Sequence, residues 1–236
     1  MPQYFIPPEN IRNGEFFSGA DEAAHIVKAA RARAGDEIEI FDGRGNRYRC
    51  VIKAAEPSCV TGLLQEKLPD PEYRTKLALC FGAAARPAFE SILEHCTEAG
   101  VESFQPVWSS RVQFDLFSAW ERRLPRFKQI TTAACKQCGR GRLPAILKPE
   151  KLDDILVSGG PCVFACADGA APDETAKALA GKTGIKLFVG PEGGFTRGEM
   201  EFARSKGAMS MSLGHYTLRT GTACLAAVSA LLTRLG

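Results

Sequence analysis

Two strand–loop–helix units that follow each other directly near the C-terminus constrain the fold more than any other feature. The first is an apolar run at residues 185–189, followed by a glycine-rich loop at 190–194 and a helix. The second is a short alternating run at 208–212, followed by a loop at 213–221 and an apolar helix. Such units build a parallel sheet, and ligands bind where the carboxyl ends of neighbouring strands meet. We therefore predict an α/β fold with a ligand site at these two loops.

The helix of the first unit has clear signals at both ends. Thr196 and Glu199 have the spacing of a capping box, in which each side chain satisfies a backbone N–H of the first turn. Gly207 suits the C-terminal end, where a left-handed residue commonly closes a helix. We predict a helix between these positions.

The glycines of the two loops indicate how a ligand would bind. Gly190, Gly193, Gly194 and Gly214 lack a Cβ, so a ligand can lie directly against the main chain. The alternative is ordinary turn chemistry, because glycine and proline punctuate any surface loop. Two such loops one unit apart favour a binding site over turns alone.

The loop sequences GPEGG and LGHYTLRTGTA resemble the paired motifs of the RsmE family of SPOUT RNA methyltransferases. The family pattern is GPEGG followed by LG-x-x-x-LRTETA, and Gly221 stands where that pattern has Glu. The resemblance implies an α/β fold with a SPOUT-type trefoil-knotted parallel sheet and helices on both faces. It also implies S-adenosyl-L-methionine as cofactor and methylation of N3 of a uridine in small-subunit (16S) ribosomal RNA.

The resemblance also implies which residues contact the cofactor, since the cofactor of this family lies in the two knot loops. The cofactor-binding candidates are Gly190, Pro191, Glu192, Gly193, Leu213, Gly214, Leu218 and Thr220.

Two charged residues of the loops are candidates for catalysis. Negative charge develops on uridine N3 and the flanking oxygens as the proton leaves, and Arg219 can stabilise it. Glu192 is the carboxylate inside the glycine loops and is the candidate general base; alternatively it fixes its loop by accepting backbone N–H bonds. We interpret His215, in the second loop, as a surface residue.

The N-terminal part of the chain has a different pattern. Alternating runs flank the turn DGRGN, which is typical of a β-hairpin, and a helix is predicted from Asp21 to Gly35. The segment GDEIEIFDGRG resembles the same family and implies a PUA-like RNA-binding β-barrel over residues 1–70. Two prolines in LPDPEYR indicate a linker, after which strands alternate with helices over 71–236, the SPOUT methyltransferase domain.

A basic segment at residues 119–148 indicates contact with an anion. It is rich in Arg and Lys, has Glu121 as its acid, and is predicted to be helical over 119–140 with Pro125 near the helix start. Phosphate contacts of this kind set affinity without reading sequence, although a solvated helix face is the alternative. The RNA-binding candidates along the chain are Arg12, Arg44, Arg111, Arg126 and Arg140.

Composition indicates whether the chain spans a membrane, forms disulfides, binds a metal or forms an oligomer. The net charge is +3, and no apolar run is long enough for a membrane span. Nine scattered cysteines fit free thiols in the cytoplasm, and the Cys135-x-x-Cys138 pair lacks a second pair, so we predict no metal. The C-terminal helix at 222–235 is apolar around most of its surface, which with the resemblance predicts a homodimer through the knot face.

Other functions remain open at this point. Departures from the family pattern at Glu94, His95, Ala133, Lys136 and Gly221 leave room for an inactive RNA-binding protein or a methyltransferase with a different RNA target. An enzyme that binds nucleotide phosphates at residues 190–194 is a third possibility. That loop lacks the Lys-Ser/Thr of a P-loop, which disfavours it.

Overall fold

The computed structural model describes residues 3–82, 85–112 and 118–236. The chain forms two compact units. The first comprises Met1–Pro71 and Thr132–Leu143, and the second comprises Glu72–Thr131 and Pro144–Gly236. The domain division predicted at residue 70 places 132–143 in the second domain, whereas these residues cluster with the first unit. That the first 70 residues fold independently remains a prediction.

The first unit is built on one six-stranded sheet. Its strands are β1 (Gln3–Phe5), β2 (Ile11–Arg12), β3 (Glu15–Phe17), β4 (Glu37–Phe41), β5 (Arg47–Glu56) and β6 (Cys59–Leu68). Their order in the sheet is β1-β4-β5-β6-β3-β2. Tyr4 of the edge strand β1, Phe16 of β3 and Ile52 of the central β5 share one buried core, so the sheet curls around it.

Residues 132–143 join the first unit through backbone pairing. The amide of Leu143 donates to the carbonyl of Gly43 (3.0 Å), and the amide of Gly45 donates to the carbonyl of Gly141 (3.2 Å). Lys136 forms an ion pair with Glu22 at 2.5 Å. These contacts attach residues 132–143 to residues of the first unit that lie far earlier in the chain. No local sequence pattern could have assigned this segment to the first unit.

The second unit contains a seven-stranded sheet in which all the strand pairings are parallel. Its strands are β7 (Lys76–Gly82), β8 (Ser103–Trp108), β9 (Ala145–Ile146), β10 (Glu150–Lys151), β11 (Cys162–Ala170), β12 (Gly184–Val189) and β13 (Met209–Met211). The order is β10-β8-β7-β12-β11-β13, with β9 also paired to β8. The last three strands therefore lie side by side, and all their pairings are parallel.

Helices cover both faces of this sheet. They are α2 (Arg86–Glu98), α3 (Trp120–Cys138), α4 (Leu152–Val157), α5 (Pro172–Leu179), α6 (Arg197–Ser205) and α7 (Thr220–Leu235). Residues of α2, α5 and α7 pack with Leu79 and Leu187 on one face. Residues of α4 and α6 pack with Cys80 and Phe188 on the other face. Neighbouring strand residues point to opposite faces, which is why both faces carry apolar side chains.

Two predicted helices differ in detail. The predicted helix from Asp21 to Gly35 is wrong in its extent: α1 is Ala20–Ala24, continued by a π-helical turn at His25–Ala29. Arg31 then adopts a φ of 56°, a left-handed conformation that cannot continue the helix. Pro125 lies inside α3 rather than near its start.

Gly221 lies in the first turn of α7 without a backbone reason to be glycine. A Cβ there would lie 3.9 Å from Cγ1 of Ile92, an ordinary contact. We therefore expect Gly221→Ala to raise the free energy of unfolding by about 0.4–1 kcal/mol, because alanine has less backbone freedom to lose. Denaturant unfolding measures the difference. A destabilised variant would show that this turn requires glycine.

Candidate active site

Three chain segments at the carboxyl ends of β11, β12 and β13 enclose a cavity of about 430 Å³. This lies within the range of small-molecule sites. Its walls come from residues 165–167 of β11, from 189–192 and 194 at the end of β12 and in the loop after it, and from 213–220 with Ala223 after β13. Neighbouring parallel strands bring these segments together even though they are separated in sequence.

The first loop is a tight turn held at both ends. The amide of Gly194 donates to the carbonyl of Pro191 (2.8 Å), and Gly194 has a φ of 66°. A Cβ on Gly190 would lie 3.0 Å from the Cα of Gly194, so a larger residue there would push the two ends of the turn apart by a few tenths of an ångström. The predicted capping box at Thr196 and Glu199 is confirmed and starts α6 immediately after the loop.

The second loop contacts the first. The hydroxyl of Thr220 donates to the carbonyl of Gly190 at 3.3 Å. Gly214 has a φ of 114°, and its amide donates to the hydroxyl of Ser212 at 3.3 Å. Leu213 packs partly against the core beneath, so the loop is anchored while Tyr216 stays 87% exposed.

The sequence did not predict the part of the cavity wall that residues 165–167 of β11 form. Ala165, Cys166 and Ala167 line the cavity because β11 lies between β12 and β13. Burial raises the pKa of the Cys166 thiol. The apolar run at 162–167 predicts a strand, but only the strand order places it beside the two loops.

The structure brings together most of the predicted cofactor-binding residues. Seven of them line the cavity: Gly190, Pro191, Glu192, Leu213, Gly214, Leu218 and Thr220. Gly193 is not among the lining residues; its carbonyl accepts a hydrogen bond from Nη1 of Arg111 at 2.6 Å. A Cβ at this position would lie 3.3 Å from Cδ of Arg111, so packing against the arginine is a second reason for glycine here. Cofactor contact by Gly193 remains a prediction.

Both candidate catalytic residues lie at the cavity. Arg219 is the N-cap residue of α7, and Arg219 and Glu192 are both exposed. Within the described ranges, neither the guanidinium of Arg219 nor the carboxylate of Glu192 makes a hydrogen bond or an ion pair. The structure therefore offers no support for a role of either side chain in fixing its own loop.

Glu199 joins the first loop to the segment after β8. Its Oε1 accepts the amide of Ser110 (2.7 Å) and its Oε2 accepts the amide of Thr196 (2.6 Å). Burial by itself would raise the pKa of Glu199, but the hydrogen bonds from Ser110 and Thr196 outweigh it and lower that pKa. A carboxylate that accepts several N–H groups stays charged and holds both segments.

The five RNA-binding candidates occupy different settings. In the first unit, Arg12 and Arg44 are exposed, with Arg12 5.5 Å from the ring centre of Phe17, and Arg140 is half-buried. In the second unit, Arg126 is exposed and forms an ion pair with Glu90 at 3.2 Å. Arg111 is exposed but already contacts the first cavity loop. RNA contact by these residues remains a prediction.

The structure also describes the cysteines, the acidic and histidine side chains, and the polarity of the helices. All nine cysteines are free thiols. Among the described residues, no group of His, Cys, Asp and Glu could hold a metal ion. In the same part of the chain, every helix is too short or too polar to cross a bilayer.

Comparison with known proteins defines the class. Residues 71–232 match the family described as "RNA methyltransferase domain", and residues 17–61 match "RNA methyltransferase PUA domain". The first match covers most of the second unit, including all three segments of the cavity wall. The chain therefore belongs to the RNA methyltransferase family, and its N-terminal part matches the PUA domain of such proteins.

Individual relatives show which group within the RNA methyltransferase family this chain resembles. Ribosomal RNA small subunit methyltransferase E of Aquifex aeolicus is 31% identical, covering 87% of this chain and 90% of the relative. The Bacillus subtilis protein of the same name is 27% identical over 98% and 96%. A crystal structure of the Neisseria gonorrhoeae enzyme bound to S-adenosyl methionine has a TM-score of 0.83, 27% identity and coverage of 99% and 97%. Within the family, this chain groups with the RsmE proteins, and the predicted fold class is confirmed.

Proposed function

We propose that this protein transfers a methyl group from S-adenosylmethionine to N3 of a uridine in 16S ribosomal RNA. The observation that carries the proposal is the cavity formed by the GPEGG and LGHYTLRTGTA loops, in a chain whose relatives are ribosomal RNA methyltransferases. Such a substrate places the activity in the cytoplasm.

The residues of the cavity fit this cofactor. Glycine at 190 and 214 exposes main-chain groups to a ligand, while Leu213 and Leu218 supply apolar surface. Backbone amides and carbonyls of these loops can pair with the polar edge of a base, as specific ligand sites require. When bound, S-adenosylmethionine supplies an electrophilic methyl group on a sulfonium.

The chain's own residues then act on the acceptor. Arg219 has a planar, permanently charged group that can stabilise negative charge on the uracil oxygens as N3 loses its proton. Glu192, a second charged side chain of the cavity wall, is the candidate acceptor of that proton. Both side chains are exposed, line the cavity and are unpaired within the described residues, which leaves them available to a bound base.

RNA would be held by charge outside the cavity. Arg126 on α3 and Arg12 and Arg44 in the PUA domain are exposed and can contact phosphates, which sets affinity but not the choice of uridine. The uridine itself must be chosen by the shape and polar groups of the cavity mouth.

Calorimetric titration with S-adenosylmethionine and with ATP tests the class of function. We expect binding of S-adenosylmethionine and none of ATP, because the first loop lacks the lysine of a phosphate-binding loop. A protein that binds S-adenosylmethionine but methylates no RNA would be a binding protein of this fold. Tight ATP binding alone would contradict the proposal.

We also propose a homodimer in which α7 contributes to the interface. Packing within the chain already buries Cys224, Ala227, Val228, Leu231 and Leu232. This packing accounts for most of the apolar residues of the helix, so the dimer proposal rests mainly on the resemblance to the RsmE family. Leu225 is the large apolar side chain of α7 that stays exposed, at 36%.

Sedimentation velocity of Leu225→Arg tests this assembly. We expect the wild type to sediment as a dimer at micromolar concentration and the variant to shift toward monomer, because a buried unpaired charge is costly. Val157→Arg is a matched control, since Val157 is 65% exposed at the end of α4. A monomeric wild type would exclude the proposed dimer.

A further inference from the structure

We propose that Arg111 is a positioning residue for the cofactor, because it holds the first cavity loop through the carbonyl of Gly193. This inference rests on the proposed function in assigning S-adenosylmethionine to the cavity. It gives Arg111 a role different from the RNA contact predicted from the sequence. It also adds the turn after β8 to the parts of the chain that shape the site.

The contact between Arg111 and the loop has two components. Nη1 donates to the carbonyl of Gly193 at 2.6 Å, and a charged donor makes a stronger hydrogen bond than a neutral one. The aliphatic stem lies against the same residue: a Cβ built on Gly193 would be 3.3 Å from Cδ and 3.4 Å from Cβ of Arg111. The arginine therefore constrains both the carbonyl and the α-carbon of Gly193.

The turn that carries Arg111 is itself fixed. Val112 donates its amide to the carbonyl of Ser109 (3.1 Å), which closes the turn. The Glu199 carboxylate binds the amides of Ser110 and Thr196 at once, at 2.7 and 2.6 Å. Arg111 and Glu199 thus form two ties between this turn and the residues on either side of Phe195.

The loop needs such ties because its own bonds are few. Gly193 and Gly194 are adjacent glycines, which have the largest backbone freedom to lose on ordering. Between residues 190 and 194 the bond from the Gly194 amide to Pro191 closes the turn, and the hydroxyl of Thr220 hydrogen-bonds to Gly190. Gly193 carries the Arg111 contact between the wall residues Glu192 and Gly194. A loop ordered before binding costs less to order on binding, so Arg111 should raise cofactor affinity.

Two substitutions separate the parts of the contact. Arg111→Met keeps an unbranched stem but removes the donor, and Arg111→Lys keeps the charge and one donor. Arg197→Met is the matched control, since Arg197 is 93% exposed on α6 and pairs with Glu201. Two readouts are needed: the Kd of S-adenosylmethionine by calorimetry without RNA, and hydrogen exchange of the Gly194 amide without cofactor.

We expect Arg111→Met to weaken S-adenosylmethionine binding on the order of tenfold, equivalent to the loss of about one hydrogen bond to a charged group. Exchange at Gly194 should become faster, Arg111→Lys should recover part of both losses, and Arg197→Met should match the wild type. In steady state, the KM for the cofactor should rise more than kcat falls.

Unchanged cofactor affinity and unchanged exchange in Arg111→Met would overturn the inference. If that variant also bound RNA more weakly, Arg111 would contact RNA phosphates, as the sequence predicts, and would not position the loop. A wild type that does not bind S-adenosylmethionine would refute the proposed function instead. In that case the exchange measurement still decides whether Arg111 orders the loop.

Discussion

Replacing Arg219 with alanine is expected to slow methyl transfer by roughly a hundred- to a thousand-fold, the usual loss when one donor to a developing negative charge is removed. The affinity for S-adenosylmethionine should change little. Arg219 lies at the N-cap of α7 on the cavity wall, and its guanidinium bonds to no other described residue. It is therefore available to the acceptor base, where it would act mainly in the transition state.

Arg219→Lys provides the comparison. Lysine keeps the positive charge but loses the planar group with several donors, so it should recover only part of the rate. Single-turnover methylation and calorimetric affinity have to be measured on the same preparations. If affinity in Arg219→Ala falls as far as the rate, Arg219 supports the loop and the catalytic assignment is wrong.

The second large effect is expected for Gly82→Ala. Gly82 ends β7, and a Cβ there would lie 2.4 Å from the backbone nitrogen of Pro191 and 2.9 Å from its Cα. Real Cβ atoms do not approach backbone so closely, so the first cavity loop must move away. Pro191 lines the cavity, and its displacement should weaken cofactor binding by more than tenfold while overpacking costs about 1–3 kcal/mol of folding stability.

Gly198→Ala is the matched control for Gly82→Ala. Gly198 lies in the first turn of α6, and a Cβ built on it meets no atom within 4 Å. Cofactor affinity and denaturant unfolding should be unchanged or improved in that variant. Normal cofactor affinity in Gly82→Ala would show that the loop can shift without cost, and that Pro191 does not shape the site.

Much of the cavity could be predicted because its two glycine loops are local features. Thr196 and Glu199 encode the start of α6 within four residues, and the alternation of strand and helix patterns encodes the parallel sheet. The catalytic candidates Arg219 and Glu192 were found in the same loops and do line the cavity. Local hydrogen bonding and side-chain periodicity are sufficient for the helix start and the sheet. The knot, the cofactor and the target uridine came from the resemblance to the RsmE family.

The parts that could not be predicted depend on contacts between residues distant in sequence. The β11 wall requires knowing that β11 lies between β12 and β13, which no periodicity encodes. Gly193 is predicted to contact the cofactor because a sequence shows a missing side chain but not its neighbour, here the side chain of Arg111; the cofactor contact remains a prediction. The assignment of residues 132–143 to the PUA unit likewise depends on pairing with residues near Gly43.

Mass mapping of 16S ribosomal RNA from cells that lack this protein tests the central claim most directly. We expect one uridine to lose a methyl group at N3 relative to the parent strain, with every other modification unchanged. A gene copy encoding the wild type should restore that methyl group, and a copy encoding Arg219→Ala should not. Identical methylation of 16S ribosomal RNA in the two strains would contradict the proposed function.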